Sequence, residues 1–239
     1  MNLTFQITLK SSFRDVYLLF YSIILPVALY AGLGFYFPNA AYQAQLLAGV
    51  IGVSILFWSM VTNGFTIFQQ RMQGVFKLLN ITPFKTSSFI ISTISAWVCI
   101  SLIISIFLII SGVILFDIHL DFISLLFIMI FVILGTLMFS LIGFIIALIS
   151  NDVNQVSMFS NLISLPFIFL SEAFYSMSNA PKWIQILSEI NPFGYLIEGI
   201  HLSILSLYSE AMSHLIIILL MNLVILGGLL WLFRTRITV

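Results

Sequence analysis

The sequence predicts an all-α integral membrane protein, and three observations support this class. Of the 239 residues, 62% are hydrophobic and only 7% are charged, far from the balance of a soluble protein. The apolar runs are long and unbroken, whereas strands of a membrane barrel alternate over roughly 10 residues. Three of the eight basic residues, Arg71, Lys77 and Lys85, lie in one short segment between two of these runs. We therefore predict one membrane domain over residues 1–239. The eight basic and eight acidic residues cancel, which gives no indication of nucleic-acid binding.

Six membrane-spanning helices are predicted, because each requires about 20 mostly apolar residues. They cover residues 16–37, 46–68, 89–116, 122–149, 153–171 and 214–233. The first run follows Lys10 and Arg14, as the apolar run of a signal peptide would. It is longer than the usual 7–15 residues or so of a signal peptide, and Asn39-Ala40-Ala41 is a poor cleavage site, so we interpret it as a span.

The basic residues predict the orientation of the chain, since short cytoplasmic loops retain Lys and Arg. With six spans, Lys182 lies on one side of the membrane and every other basic residue on the opposite side. The larger group is Lys10, Arg14, Arg71, Lys77, Lys85, Arg234 and Arg236. We therefore expect a multi-pass protein of the cell membrane with both termini in the cytoplasm.

A short helix on the membrane surface is predicted over residues 1–15. Phe5, Leu9, Phe13 and Val16 recur at spacings of four, four and three, which places them on one helical face. Basic side chains on the same segment would meet lipid headgroups. The alternative is a simple leader into the first span.

Two stripes of polar residues interrupt the apolar spans. The second span carries Ser59, Thr62, Asn63 and Thr66 at helical spacing, and the fifth carries Asn154, Ser157, Asn161 and Ser164. Such faces avoid lipid and turn toward another helix or a hydrated passage. Both interpretations, hydrogen bonding between helices and lining of a transport pathway, remain open for each residue.

The segment 69–88 is predicted to be a cytoplasmic loop that contains one amphipathic helix. Its apolar stripe comprises Met72, Val75, Phe76 and Leu79, and the opposite face comprises Gln70, Gln73, Lys77 and Asn80. Thr82-Pro83 should end the helix, because a residue before proline is disfavoured in the helical region. The helix either receives a partner protein or only packs beneath the bundle.

Residues 172–211 contain too many polar and proline residues for a full span. Asn191-Pro192 divides the apolar pattern, so we predict a broken pair of short helices that enters the outer leaflet before the last span. Trp183 and Tyr195 would lie near the headgroups. The triplet Asp117, His119, Asp121 and the pair Glu198, His201 are too sparse to predict a metal site.

Two stretches carry a resemblance to a known family. They are Arg71-Met72-Gln73-Gly74-Val75-Phe76-Lys77-Leu78-Leu79 with Thr82-Pro83, and Asn191-Pro192-Phe193-Gly194-Tyr195. Together with the order of the spans, they resemble the permease subunit of an ABC-2 type exporter. The chain departs from the family pattern at Gln69, Gln70 and Gln73, where family members commonly have glutamates. That departure favours apolar contact over ion pairs at this segment.

The resemblance implies a transport subunit that is not itself an enzyme and holds no cofactor. It implies ABC ATPase subunits that bind ATP and Mg, and a second permease subunit that is either a copy or a related chain. The residues implied to couple to the ATPase are Arg71, Met72, Gly74, Val75, Phe76, Lys77, Leu79, Thr82 and Pro83, and the outer turn comprises Asn191, Pro192 and Phe193. The sequence agrees, because it contains no G-x-x-x-x-G-K-[ST] phosphate loop.

Two other functional classes are alternatives to an exporter of an amphiphilic, drug-like, peptide or lipid-linked cargo. An ion-coupled carrier usually needs ionisable groups near the membrane midplane, and the predicted spans hold only His214, at an edge. A non-transporting immunity or scaffold protein would use the polar stripes for packing alone. Co-purification of an ATPase distinguishes the exporter from both.

Overall fold

The computed structural model describes residues 23–80, 86–174 and 180–236, together with Gln6 and Lys10. Two predictions therefore fall largely outside the described residues: the interfacial helix over residues 1–15 and the beginning of the first span. The described residues form helices and turns, with no strand among them, which confirms the all-α class.

We number the described helices in chain order. They are α1 (Leu25–Tyr36), α2 (Ala40–Leu56), α3 (Asn63–Met72), α4 (Val75–Asn80), α5 (Thr86–Phe116), α6 (Phe122–Ile149), α7 (Val153–Phe169), α8 (Lys182–Glu189), α9 (Pro192–Ile204) and α10 (Tyr208–Arg236). A π-helical turn, Phe57–Thr62, joins α2 to α3 without a break in the helix. Wide turns of this kind occur often at functional sites.

Four helices in the described part of the chain are long and apolar enough to cross a membrane. They are Ala40–Met72, Ser88–Phe116, Phe122–Ile149 and Tyr208–Leu232. The described part of α1 is shorter. Helix α7 has 17 residues, so it extends about 25 Å against a hydrocarbon thickness of roughly 30 Å. The predicted count of six spans is thus not confirmed, although all six apolar segments contain helix.

Polar side chains define where three of these helices begin. Asn39 Oδ1 accepts from the backbone N–H of Ala41 at 2.9 Å and caps α2. Asp121 caps α6 by accepting from Ser124 N at 2.7 Å, and Asp152 accepts from Gln155 N. An uncapped helix start leaves backbone donors unpaired, so these residues fix the register of each helix against its neighbours.

Helix α6 lies at the centre of the bundle and contacts α2, α3, α5, α7, α9 and α10. Its buried aromatic residues Phe131, Phe139 and Phe144 are fully enclosed. The Phe139 ring lies 6.0 Å from that of Phe193 at the start of α9. A side chain on Gly199 would collide with the Phe131 ring at 2.3 Å, so α9 packs directly on α6.

The predicted pair of short helices before the last span is present, and its two members differ in burial. Helix α8 has no buried residue and exposes Trp183, Ile186 and Leu187. Helix α9 is mostly buried, since it fills the space between α2, α6 and α10. The second helix of the pair is therefore part of the core, while the first lies on the surface.

Candidate functional site

The segment predicted to form one amphipathic helix is divided in two by Gly74. Helix α3 continues from the membrane and ends at Met72, and α4 begins at Val75. Gly74 has a φ of +77°, the left-handed conformation that glycine adopts at the ends of helices. Gly74 N donates to Arg71 O at 3.0 Å, which closes the turn. The prediction of a single helix was wrong, because glycine here ends one helix and starts another.

The apolar residues of this segment face in two directions. Met72 is 62% exposed and Leu78 is 58% exposed, so both are available to a partner. Phe76 is buried instead, and its ring lies edge-on to Phe89 with a centroid distance of 5.8 Å. Of the predicted apolar stripe, Phe76 therefore packs against the protein's own bundle. Leu78, which was not part of that stripe, is exposed.

Val75 is half-buried and packs against the hydrophobic core. The side chains of Lys77 and Leu79 and the whole of Thr82 and Pro83 lie outside the described residues, so their predicted roles stay predictions.

Arg71 binds the end of another helix. Its guanidinium donates to the carbonyls of Ala147 at 2.6 Å and Leu148 at 2.7 Å, and to that of Ser150 at 2.9 Å. It also lies over the Phe68 ring, 5.7 Å from its centroid. This contact could not be predicted from the sequence, because nothing near Arg71 in the chain indicates partners that are 76 to 79 residues away.

The first polar stripe is directed mostly into its own helix and toward α6. Ser59 and Asn63 are completely buried. The Ser59 hydroxyl donates to Ile55 O, and Thr66 donates to Thr62 O at 2.8 Å.

The other contacts of this stripe come from Thr62 and Asn63. Thr62 donates to Phe57 O at 3.4 Å, and Asn63 Nδ2 donates across to Ser140 O on α6 at 3.4 Å. These hydrogen bonds hold the stripe to its own helix and to α6, and its predicted role in lining a pathway stays a prediction.

The second polar stripe divides between two faces of α7. The side that packs on the bundle carries Val156, Ser160 and Ser164, all buried. Asn154 and Asn161 are exposed, and Ser157 is half-buried. The predicted stripe thus includes one residue of the packing face, while its two amides point away from the bundle. Exposed neighbours on α7 are Met158, Leu162 and Leu165.

Asn191 is the polar centre of the predicted outer turn. Its Oδ1 accepts from Phe193 N at 3.0 Å and caps α9, with Pro192 as the first helical residue. Its Nδ2 donates to the carbonyls of Phe167 and Leu170, both at 2.8 Å. One amide therefore joins the end of α7 to the start of α9.

Several ionisable groups of the described residues are paired or hydrogen-bonded within the chain. Glu198 on α9 lies 3.2 Å from His214 Nε2 on α10, rather than joining His201. His119 Nδ1 contacts Asp117 O at 2.7 Å, and Asp121 is occupied by Ser124 and Tyr208. Within the described ranges, no three His, Cys, Asp or Glu side chains are grouped so that they could hold a metal ion.

The long apolar helices define a multi-pass membrane protein. A family model for the ABC-2 type transporter matches residues 2–205. Since this match covers most of the chain, the chain belongs to the ABC-2 type transporter family, as its resemblance implied.

Named relatives agree with this family. The chain is 27% identical over 163 residues to "Putative transport permease ycf38" of Porphyra purpurea, across 68% of this chain and 56% of that protein. It is 23% identical over 159 residues to "Inner membrane transport permease YadH" of Escherichia coli K12, across 66% of this chain and 61% of that protein. The matched stretch thus spans little more than half the length of these relatives.

Proposed function

We propose that this chain is the permease subunit of an ATP-driven exporter, with ATP and Mg bound by a separate ABC ATPase. The observation that carries the proposal is the exposed apolar surface of Met72 and Leu78 on either side of Gly74. Family membership supports it, because an ABC transporter requires an ATPase and this sequence has no phosphate loop.

The contact with the ATPase is apolar in this proposal. Arg71 is already hydrogen-bonded to three carbonyls of its own chain, and Gln70 and Gln73 beside it are uncharged. Met72 and Leu78 offer apolar area that water would otherwise cover. A cytoplasmic position for this segment is supported by the asymmetric distribution of basic residues along the chain.

The cargo is an amphiphilic molecule that is drug-like, peptidic or lipid-linked, and it moves along a passage completed by a second permease subunit. The outward face of α7 supports this assignment, since it presents Asn154 and Asn161 beside Met158 and Leu162. An exposed amide within an apolar helix is costly in lipid, and a mixed face of this type suits a cargo with polar and apolar parts.

A double variant tests the proposal. Met72→Gln with Leu78→Gln should abolish co-purification of the candidate ABC ATPase and remove ATP-dependent cargo movement in vesicles. The matched control is Phe122→Gln, which removes another exposed apolar side chain, 80% exposed, at the start of α6. The proposal fails if the wild-type protein binds no ATPase and ATP moves no cargo.

The same variant also tests whether Met72 and Leu78 form the contact with the ATPase. If the double variant still binds the ATPase and transports, then the family function stands and the assignment of Met72 and Leu78 is wrong.

A further inference from the structure

The positive charge at the carboxyl end of α6 comes from Arg71, which lies on α3. Helix α6 has no basic residue in its last turn. The carbonyl of Ile146 is bonded by the N–H of Ser150 at 3.1 Å and by its hydroxyl at 2.7 Å. The carbonyls of Ala147 and Leu148 are bonded by Arg71. The end of a helix carries unpaired acceptors and partial negative charge, so the guanidinium satisfies both.

Helix α6 also meets α3 and the π turn nearer the middle of the bundle. A Cβ on Gly143 would lie 2.6 Å from Met60 O, so the backbones are in direct contact there. Asn63 Nδ2 donates to Ser140 O one turn away. The contacts with α6 therefore extend from the π turn to the end of α3 that carries Arg71.

The Arg71 contact reaches beyond α6 to the start of α7. Its third acceptor, Ser150 O, belongs to the turn between the two helices. Two residues later, Asp152 caps α7 through Gln155 N at 2.8 Å. A displacement of Arg71 would thus act on the turn that positions α7 and its exposed amides.

We infer that Arg71 is a positioning residue that joins α3, α6 and the turn at Ser150–Asp152 into one mechanical unit. A movement of the segment around Gly74 would then be transmitted to α6 and α7 together with α3. It would not be limited to α3 and α5, the long helices before and after this segment in the sequence. Only the origin of that movement in an ATPase rests on the proposed function.

Distance measurement between two spin labels tests this inference without any partner. The labels are placed at Gln73→Cys and Asn151→Cys, both exposed, in a Cys99→Ala background that removes the single native cysteine. With Arg71 present, we expect one narrow distance distribution. Arg71→Gln should lose the narrow peak and give a broad distribution, and Arg71→Lys, which has a single nitrogen for three carbonyls, should be intermediate.

Lys182→Gln is the matched control, because it removes a cation far from α6 in the sequence and should keep the narrow peak. Circular dichroism establishes that each variant is folded. If Arg71→Gln does not fold, then Arg71→Lys is judged by the same criterion. An unchanged narrow peak in the folded variant overturns the inference.

Adding the candidate ATPase with ATP separates the two proposals. A third label on α10 reports any movement of positions 73 and 151 relative to α10. If ATP moves nothing, the exporter proposal fails while the unit around Arg71 stands. If ATP changes the distance between positions 73 and 151 in the wild-type background, the unit is not rigid and the inference fails while the exporter proposal stands.

Discussion

The Asp121 carboxylate accepts hydrogen bonds from two residues, Ser124 and Tyr208, at the start of α6. It accepts from Ser124 N at 2.7 Å, and the Tyr208 hydroxyl lies 2.6 Å from both of its oxygens. The hydrogen bond from Tyr208, followed by those from Ser124, holds the pKa of Asp121 below its ordinary value. Each bond favours the charged form, so the carboxylate links α6 to the first turn of α10.

Substitution of Tyr208→Phe should raise the pKa of Asp121 toward its ordinary value, because the largest stabilising bond is removed. The folded-state pKa is depressed, so the stabilisation by Asp121 is present above the unfolded-state pKa. It is lost as pH falls through the folded-state pKa. Carbon NMR titration of the Asp121 carboxyl measures this. Tyr195→Phe is the control, since that hydroxyl donates to a backbone carbonyl, Glu189 O. An Asp121 pKa unchanged in Tyr208→Phe would contradict the assignment.

Asn191 performs a capping role and a joining role that substitutions can separate. Asn191→Ala removes both, and it should destabilise the protein by roughly 2–4 kcal/mol, since a cap is lost and two carbonyls lose their donor. Asn191→Asp keeps the acceptor for Phe193 N but loses the donor to Phe167 and Leu170. Thermal unfolding in detergent should place the Asn191→Asp variant near the alanine variant. Stability equal to wild type in Asn191→Asp would show that the joining role is negligible.

Glycine determines how closely α3 and the π turn approach α6. An alanine Cβ at Gly143 would lie 2.6 Å from Met60 O and 3.3 Å from Gly64 N, and neither backbone atom can move alone. Gly143→Ala should therefore cost roughly 1–3 kcal/mol of unfolding free energy. Gly228→Ala is the control, because nothing lies within 4 Å of its Cβ position and alanine favours a helix by about 0.5–1 kcal/mol. Equal melting temperatures for the two variants would contradict the close contact.

Sequence patterns were sufficient to predict the elements that depend on residues close together in the chain. The apolar runs located the long helices, and Asn191-Pro192 located the break between α8 and α9. Gly74 is also a local signal, because a glycine within an amphipathic run is typical of a helix end. Gly74 by itself thus indicates two helices in this segment and not one. Helix and break are thus largely predictable from residue type and spacing.

Contacts between distant elements could not be predicted in the same way. The face of α7 that packs on the bundle carries Val156, Ser160 and Ser164, while the predicted stripe shares only Ser164 with it. Serine suits either face, since its hydroxyl can bond its own helix. The acceptors of Arg71 are backbone carbonyls, which every residue possesses, so residue type gives no signal for them.

In the part of the chain that the structure describes, the helices form a bundle around α6. Most helices cover α6 with apolar side chains, but α7 presents Asn154 and Asn161 outward from the bundle. By contrast, the exposed residues of α10 between Ile216 and Trp231, such as Val224 at 75% exposure, are apolar or glycine. The outer face of α7 is therefore mixed, with two amides among exposed apolar side chains such as Met158 and Leu162, whereas this part of α10 is uniformly apolar and suits lipid.

Thiol labelling in the membrane distinguishes these surroundings. In a Cys99→Ala background, Asn161→Cys should react with a water-soluble maleimide, because water along the proposed pathway would let the thiol ionise and would admit the reagent. Val224→Cys, also exposed but placed on the apolar face of α10, should remain largely unlabelled, since a thiol in lipid stays protonated and out of reach. Labelling of both cysteines in detergent shows that each is chemically competent. Equal protection of the two cysteines in membranes would mean that α7 faces lipid or a dry interface, and the passage would then lie elsewhere in the bundle.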